Sequence, residues 1–261
     1  MADTLFSVND QIVVVTGGSR GIGRALAAGF AERGAQVVIA GREKDTLAAT
    51  AKEISKDRKA VKPIVCDVAK PDDVALLTES VLSEFGQVDT LVSVAGVNKR
   101  MKAEDYTNDE YDWIMDINLR GSFVLAQTFG KHMIERKSGA IINVDSLNTY
   151  APLTGVTPYA MSKAGVLMMT RSLANEWGRH GVRVNSIAPG FFPTALSKKL
   201  WAEDKMRDWG IGNTPLGRLG EVEDLVGAAV FLASAASAFI TGQTIRVDGG
   251  ITAGMNWPIT I

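Results

Sequence analysis

The sequence predicts an α/β fold: one doubly wound, seven-stranded parallel sheet with helices on both faces, in a single domain spanning 1–261. Three observations carry that expectation. Short β-branched runs alternate with longer stretches of helical period, the βαβ rhythm of a parallel sheet covered on both sides. A glycine-rich turn, Thr16-Gly17-Gly18-Ser19-Arg20-Gly21-Ile22-Gly23, joins the first such run to the first helical stretch. No Pro/Gly/Ser-rich linker and no internal repeat divides the chain, so it reads as one unit.

Strands are expected over 12–16, 36–40, 61–65, 90–94, 140–145, 182–187 and 244–247, where the β-branched runs lie. Helices are expected between them, over 21–33, 43–56, 72–85, 108–136, 158–178 and 221–235. In the first, Ile22, Leu26, Phe30 and Arg33 recur at helical spacing. The third begins at Pro71-Asp72-Asp73; proline sets φ for a first turn, and carboxylates suit the positive end of the helix dipole. One segment breaks the rhythm. Residues 190–212 hold no expected strand yet carry Phe191, Phe192, Trp201 and Trp209, which reads equally as a substrate lid or as a packed surface loop.

Composition excludes several classes of function. Hydrophobic residues make up 46% of the chain, too many for disorder. Lys+Arg number 28 against 29 Asp+Glu, and no basic block stands out, so neither a nucleic-acid surface nor an anionic-membrane anchor is expected. No apolar run approaches the ~18–20 residues that span a bilayer. The one cysteine, Cys66, fits a reducing compartment and, with no histidine placed to activate it, reads as a small buried hydrophobe. Met1 to Asp10 lacks the basic-then-apolar pattern of a secretion signal. A cytoplasmic protein is expected. His132 and His180 are too few and too far apart for a metal site.

The glycine turn has a chemical use. Free N–H groups and the dipole at a helix start favour an anion, and glycines let the backbone approach it, as at the pyrophosphate of a dinucleotide in a Rossmann fold. Three residues separate Gly17 from Gly21, so this is not GxGxxG, and on its own it also fits a plain tight turn. The second strand ends Ile39-Ala40-Gly41-Arg42. The acid that would accept the ribose hydroxyls of NAD is absent, and a guanidinium able to bind a 2′-phosphate follows. NADP(H) is therefore preferred and NAD(H) possible; a second reading makes Arg42 a strand-end residue paired with Glu43.

Tyr159 and Lys163 lie four apart on an expected helix and so share a face. A free phenol titrates near ~10. A close ammonium favours phenolate and brings the group toward use as an acid/base at neutral pH.

With TGxxxGIG at Thr16 to Gly23 and Tyr-x-x-x-Lys at 159 to 163, the chain resembles the short-chain dehydrogenase/reductase family over nearly all its length, to about Gly250. The resemblance implies hydride transfer between a nicotinamide dinucleotide and a small carbonyl or alcohol. It implies a catalytic tetrad of Asn118, Ser146, Tyr159 and Lys163, with Ser146 holding the substrate oxygen and Asn118 a water leading to Lys163. It assigns cofactor contacts to Gly17, Ser19, Arg20, Gly21, Ile22, Gly23 and Arg42, with Arg20 a second phosphate contact. Asp67 and Val68 would flank the adenine, Ala95 and Gly96 line the groove, and Lys163 reach the nicotinamide ribose. Pro189, Gly190 and Thr194, in Pro-Gly-x-x-x-Thr, would pack on the nicotinamide and bond its carboxamide. One departure stands out: where the family has Asn-Asn-Ala-Gly, this chain has Ser93-Val94-Ala95-Gly96, and Ser93 is expected to replace part of the first Asn's hydrogen bonding.

Within the family, Leu5-Phe6-Ser7 and Arg218-Leu-Gly-Glu221 resemble sugar-acid and polyol dehydrogenases of the gluconate 5-dehydrogenase kind, and also 3-oxoacyl-carrier-protein reductases. The first is preferred; the second would use Arg120, Lys131, Arg136 and Lys137 as a basic docking face. A catalytically silent nucleotide-binding sensor is the remaining alternative. The resemblance also implies a homotetramer paired through the helices at 108–136 and 158–178 and through the last helix and strand. The apolar tail 255–259 is expected against a neighbouring subunit.

Overall fold

Three residues of the first strand show how the sheet is covered. In β1 (Ile12–Thr16), Val13 and Val15 enter the apolar core on one face and Val14 the core on the other, because successive strand side chains leave opposite faces. β2 (Gln36–Gly41), β3 (Lys62–Val65), β4 (Thr90–Ser93), β5 (Gly139–Val144), β6 (Val182–Pro189) and β7 (Thr244–Val247) complete a seven-stranded sheet in the order β3-β2-β1-β4-β5-β6-β7. Every pairing is parallel. The computed structural model describes residues 4–56, 59–194 and 197–254. The tail 255–259 and positions 195 and 196 of the expected lid lie outside them.

On one face, α1 (Gly21–Glu32), α2 (Lys44–Ile54) and α9 (Val226–Ala233) bring Leu26, Phe30, Leu47 and Ala229 to the core. On the other, α3 (Pro71–Phe85), α5 (Gly121–Arg136) and α6 (Thr157–Trp177) bring Leu77, Phe129 and Leu173. Phe30 and Phe129 are fully buried, each contributing roughly 1.5–3 kcal/mol from area alone. Cys66 is buried too, and burial raises its thiol to about 12, which suits an inert residue rather than a nucleophile. The chain runs outward from β1 to β3 and then returns, so that β4 pairs with the other edge of β1. That reversal opens a crevice at the carboxyl ends of β1 and β4, where such sheets bind ligands.

The helix expected over 108–136 is broken. α4 (Asn108–Met115), opened by a Thr107/Glu110 capping box, gives way to a π-helical turn over Asp116–Arg120 before α5 begins. The Asn118 amide donates to the Val97 carbonyl at 2.9 Å and its oxygen accepts the Val97 N–H at 2.8 Å. The Ser122 hydroxyl meanwhile donates to the Asn118 carbonyl at 2.8 Å. Bonds of this kind compete with the helical ladder and mark the places where it widens. The helix expected over 221–235 likewise opens with a 3-10 turn, Val222–Leu225, before α9.

The segment 190–212 contains two helices, α7 (Lys198–Trp201) and α8 (Asp204–Gly212). Its aromatic residues divide. Phe191, Phe192 and Trp201 are buried, with Phe191 and Trp201 packed on Leu147, whereas Trp209 is 42% exposed. The Phe191 ring lies 5.0 Å from that of Trp201 and 5.4 Å from that of Trp209. Most of what reads as exposed apolar surface in the sequence is therefore a small core holding this segment onto the sheet.

Candidate active site

The glycine turn is built by close approach. Gly17 has φ +65°, and a Cβ there would lie 3.0 Å from the Ala95 nitrogen; at Gly23 it would lie 2.2 Å from the Gly17 carbonyl oxygen. The turn thus sits directly on the loop after β4, with α1 packed hard behind it. Gly21, φ +51°, faces the Thr194 side chain, 3.4 Å from where a Cβ would stand, so Thr194 reaches the glycine turn from the far side of the crevice. Pro189 ends β6, and Gly190 lets the chain pass the Asp248 backbone, 2.6 Å from the position of a Cβ. Bare backbone at a helix start fits the pyrophosphate of a dinucleotide.

Around this cradle stand the other residues expected to hold the nucleotide. Ile22 packs on the core beneath it. The Ser19 hydroxyl lies near Gly41 at the end of β2, 3.8 Å from a Cβ built there. Val68 is buried against Gly121 at the start of α5, and Asp67 turns its carboxylate onto the Ala69 N–H at 3.1 Å. The two arginines differ from the sequence reading. Arg20, not Arg42, takes Glu43, through two hydrogen bonds of 2.8 and 2.6 Å, and this pairing with help from Thr46 holds the Glu43 carboxyl down at about 2. Arg42 is exposed and makes no ion pair among the described residues.

Deeper in the crevice the expected tetrad comes together. Lys163 is buried and donates to the Val144 carbonyl at 2.7 Å, with its ammonium 5.8 Å from the Tyr159 ring centre. A Cβ at Gly96 would lie 3.3 Å from the Asn118 amide oxygen and 3.7 Å from the Lys163 nitrogen, so both groups stand against this glycine. Asn118 also donates to the Ser162 hydroxyl at 3.0 Å, which passes its own proton to the Tyr159 carbonyl at 2.7 Å. The Asn118 side chain is fully engaged with Val97 and Ser162. Where the family has an asparagine, Ser93 donates to the Ser122 hydroxyl at 3.2 Å, and Thr16 accepts the N–H groups of Val94 and Ala95 at 3.2 and 3.4 Å.

The electrostatics depart from the sequence reading. Within the chain itself, burial raises the Tyr159 phenol above its ordinary value, and the Asp145 carboxylate raises it further. What pulls it down is the Ser146 hydroxyl and then the Arg100 cation, not the lysine. Lys163 is itself depressed to about 8 by burial, against support from Asp145. Asp145 is 1% exposed and raised to about 6 by burial. One of its oxygens accepts the Thr149 hydroxyl at 2.5 Å and the other, Oδ2, has no hydrogen-bond partner among the described residues. Asp145, Arg100 and Ser162 escaped the motif reading. The one signal available for Asp145 was a carboxylate closing a strand that is apolar but for Asn143; the others declare themselves only through contacts between distant elements.

A family model described as enoyl-(acyl carrier protein) reductase matches residues 17–252. Gluconate 5-dehydrogenase of Gluconobacter oxydans (strain 621H) is 38% identical over 251 residues, 96% of this chain and 98% of that one. A 3-oxoacyl-[acyl-carrier-protein] reductase of Thermotoga maritima is 36% identical over 246 residues, 92% of this chain and 97% of that protein. Among solved structures, a gluconate 5-dehydrogenase from Burkholderia cenocepacia J2315 in complex with NADP and tartrate superposes with a TM-score of 0.94 at 38% identity, covering 98% of this chain and 100% of that one.

Proposed function

The chain belongs to the short-chain dehydrogenase/reductase family and is an NAD(P)-dependent oxidoreductase, and on that premise we propose that it interconverts a ketone and a secondary alcohol on a sugar acid or polyol, using NADP(H) in preference to NAD(H). When bound, the nicotinamide supplies the hydride for reduction or takes it up in oxidation. Tyr159 gives its phenol proton to the substrate oxygen in reduction and withdraws it in oxidation. Ser146 hydrogen-bonds that same oxygen and Lys163 keeps a positive charge beside it. Asn118 sets the wall behind Lys163 through Val97 and Ser162. The glycine turn from Gly17 to Gly23, with Ser19, holds the pyrophosphate; Arg42 meets the 2′-phosphate, for which Arg20 would first have to leave Glu43; Asp67 and Val68 flank the adenine; Ala95, Gly96, Pro189, Gly190 and Thr194 line the nicotinamide end.

The observation that carries this reading is the convergence of Ser146, Tyr159 and Lys163: the ammonium lies beside Gly96 and the phenol ring, the Ser146 hydroxyl acts on the phenol, and the Arg100 cation is near enough for its charge to favour the phenolate. A cation there suits a carboxylate-bearing substrate. An acyl-carrier-protein substrate is the second reading, and the basic face it needs is weakened. Arg136 is held by the Asp89 carboxylate at 2.9 Å and the Val88 carbonyl at 2.8 Å. Turnover of sugar acids, polyols and β-keto esters with both dinucleotides tests the choice: the fastest rates should fall on a keto-sugar acid with NADPH. Faster turnover of an acyl-pantetheine ester would replace this reading with the second, and binding without turnover across the panel would favour the silent sensor.

The same reading includes a cytoplasmic homotetramer. An apolar groove of about 330 Å³, lined by Met115, Leu119, Phe123 and Met169, opens on the face of α5 and α6, and Phe239 stands fully exposed just before β7. Apolar surfaces of this kind mark subunit contacts. A monomer in light scattering at micromolar protein would refute the assembly. Among the described residues no helix is long and apolar enough to cross a membrane.

A further inference from the structure

Ser146 caps the short 3-10 turn Leu147–Thr149, and the way it does so decides which way its proton points. A hydroxyl has one proton to give and two lone pairs to receive with. Both lone pairs are met by one residue: the Asn148 backbone N–H donates to the Ser146 oxygen at 3.1 Å and the Asn148 side-chain amide at 3.2 Å. That amide cannot be reversed, because its oxygen accepts the Leu153 N–H at 2.9 Å, which leaves only the NH₂ group to face Ser146. Ser146 is 6% exposed and Asn148 9%, so bulk water does not compete. The proton is left to point elsewhere, and the Tyr159 phenol, which the Ser146 hydroxyl makes more acidic, is an acceptor within its reach.

We propose that Asn148 is a positioning residue: by saturating the Ser146 oxygen with two N–H donors it fixes the hydroxyl as a donor, aimed at the Tyr159 oxygen and at the substrate oxygen beside it. The proposal rests on the oxidoreductase reading above. A serine free to rotate spends part of its time accepting, and in that orientation it offers nothing to a developing alkoxide or phenolate. Asn148 removes that orientation before substrate arrives, which is preorganisation rather than a new contact.

Asn148→Asp is the sharp test. It keeps an oxygen for the Leu153 N–H but puts an acceptor where the donating NH₂ stood, so the Ser146 proton turns toward residue 148. kcat should fall about 10²-fold, as for loss of a single preorganised donor, close to the value for Ser146→Ala and with dinucleotide Kd unchanged. In the Ser146→Ala background Asn148→Asp should cost nothing further, because a residue that acts through a hydroxyl has no effect once the hydroxyl is gone. Asn148→Leu, which leaves Ser146 one backbone donor, should lose less than Asn148→Asp. Ultraviolet titration without added dinucleotide, assigned by difference from Tyr159→Phe, should show the Tyr159 tyrosinate forming at higher pH in Asn148→Asp. A wild-type rate and titration in Asn148→Asp overturns the proposal, as does Leu proving worse than Asp or a double variant losing activity beyond Ser146→Ala. A fully active Ser146→Ala overturns the oxidoreductase site assignment and this proposal with it. An inactive Ser146→Ala beside a normal Asn148→Asp overturns this proposal alone.

Discussion

The two ends of the crevice handle charge in opposite ways. At the nucleotide end, Arg20 and Glu43 are about half exposed and face each other at 2.6 Å, with Arg42 beside them in solvent. Water and salt screen such groups, and their pairing adds little to the stability of the fold. At the catalytic end, Asp145 and Lys163 are buried and Tyr159 is half-buried. There burial dominates: it raises the carboxyl and the phenol and depresses the ammonium, each shift disfavouring the charged form. The contrast separates recognition from chemistry. A phosphate site needs charges that are already ionised and easily reached; an acid/base site needs charges costly enough to be passed on.

If that contrast is sound, the largest effect in the molecule belongs to one buried hydroxyl. Tyr159→Phe removes the proton carrier and nothing else, so kcat should fall by about 10²–10⁴ while dinucleotide affinity stays nearly intact. Steady-state rates and a fluorescence titration of NADPH measure the two separately. A variant with near-normal rate would remove Tyr159 as the acid/base, and with it the special standing of the catalytic end.

A smaller effect, on stability rather than rate, sharpens the contrast further. The folded Asp145 carboxyl titrates at about 6, against about 3.9 in an unfolded chain. A raised acid binds its proton more tightly when folded. Its favourable contribution is therefore complete below the unfolded value and is lost as pH rises through the folded one. Between about pH 4 and pH 6 the wild type should lose up to about 3 kcal/mol that Asp145→Asn, which does not ionise, retains. Denaturant unfolding across that range should show the two stability curves diverging toward higher pH. Parallel curves would mean that the buried carboxyl stays neutral throughout or is solvated in ways its burial does not suggest. Arg20→Ala, by the same measurement, should act only at the acid edge of this window, where it returns Glu43 toward an ordinary carboxylate, and should leave the loss toward pH 6 in place.

How much of this was legible beforehand follows the same division. The sheet was readable because each strand is a β-branched run and each helix carries its own period, and these are local properties. The glycine turn and the Tyr159/Lys163 pair were readable because their chemistry depends on spacing along the chain. The π-helical turn at Asp116–Arg120 was not, since nothing in that stretch reveals that Asn118 will clamp the backbone of Val97, 21 residues away. Nor was the raised phenol: its partners Ser146 and Arg100 come from the segments that follow two different strands, and burial is a property of the assembled crevice. Phe191 and Trp201 looked like surface because the segment holding them has no strand, yet Leu147 gives them a core. Composition could not supply that contact.

The nucleotide end offers the gentlest test, and it bears on which dinucleotide the protein prefers. Arg20 is committed to Glu43 through both terminal guanidinium nitrogens, so the cation left to meet a 2′-phosphate is Arg42. Its exposure argues for a modest contribution. A charge-assisted hydrogen bond is worth about 1.5–3 kcal/mol, and solvent screening puts an exposed one at the lower limit, roughly a tenfold change in Kd. Arg42→Ala should weaken NADPH by about that factor and leave NADH unchanged, and raising the salt concentration should narrow the wild-type preference by screening the same charge. Titrations of both dinucleotides at low and high salt measure all four quantities. Equal losses for NADPH and NADH would place Arg42 outside the phosphate site. Discrimination would then pass to Arg20, which would have to leave Glu43 to provide it, and the pair that looks inert at this end of the crevice would become its switch.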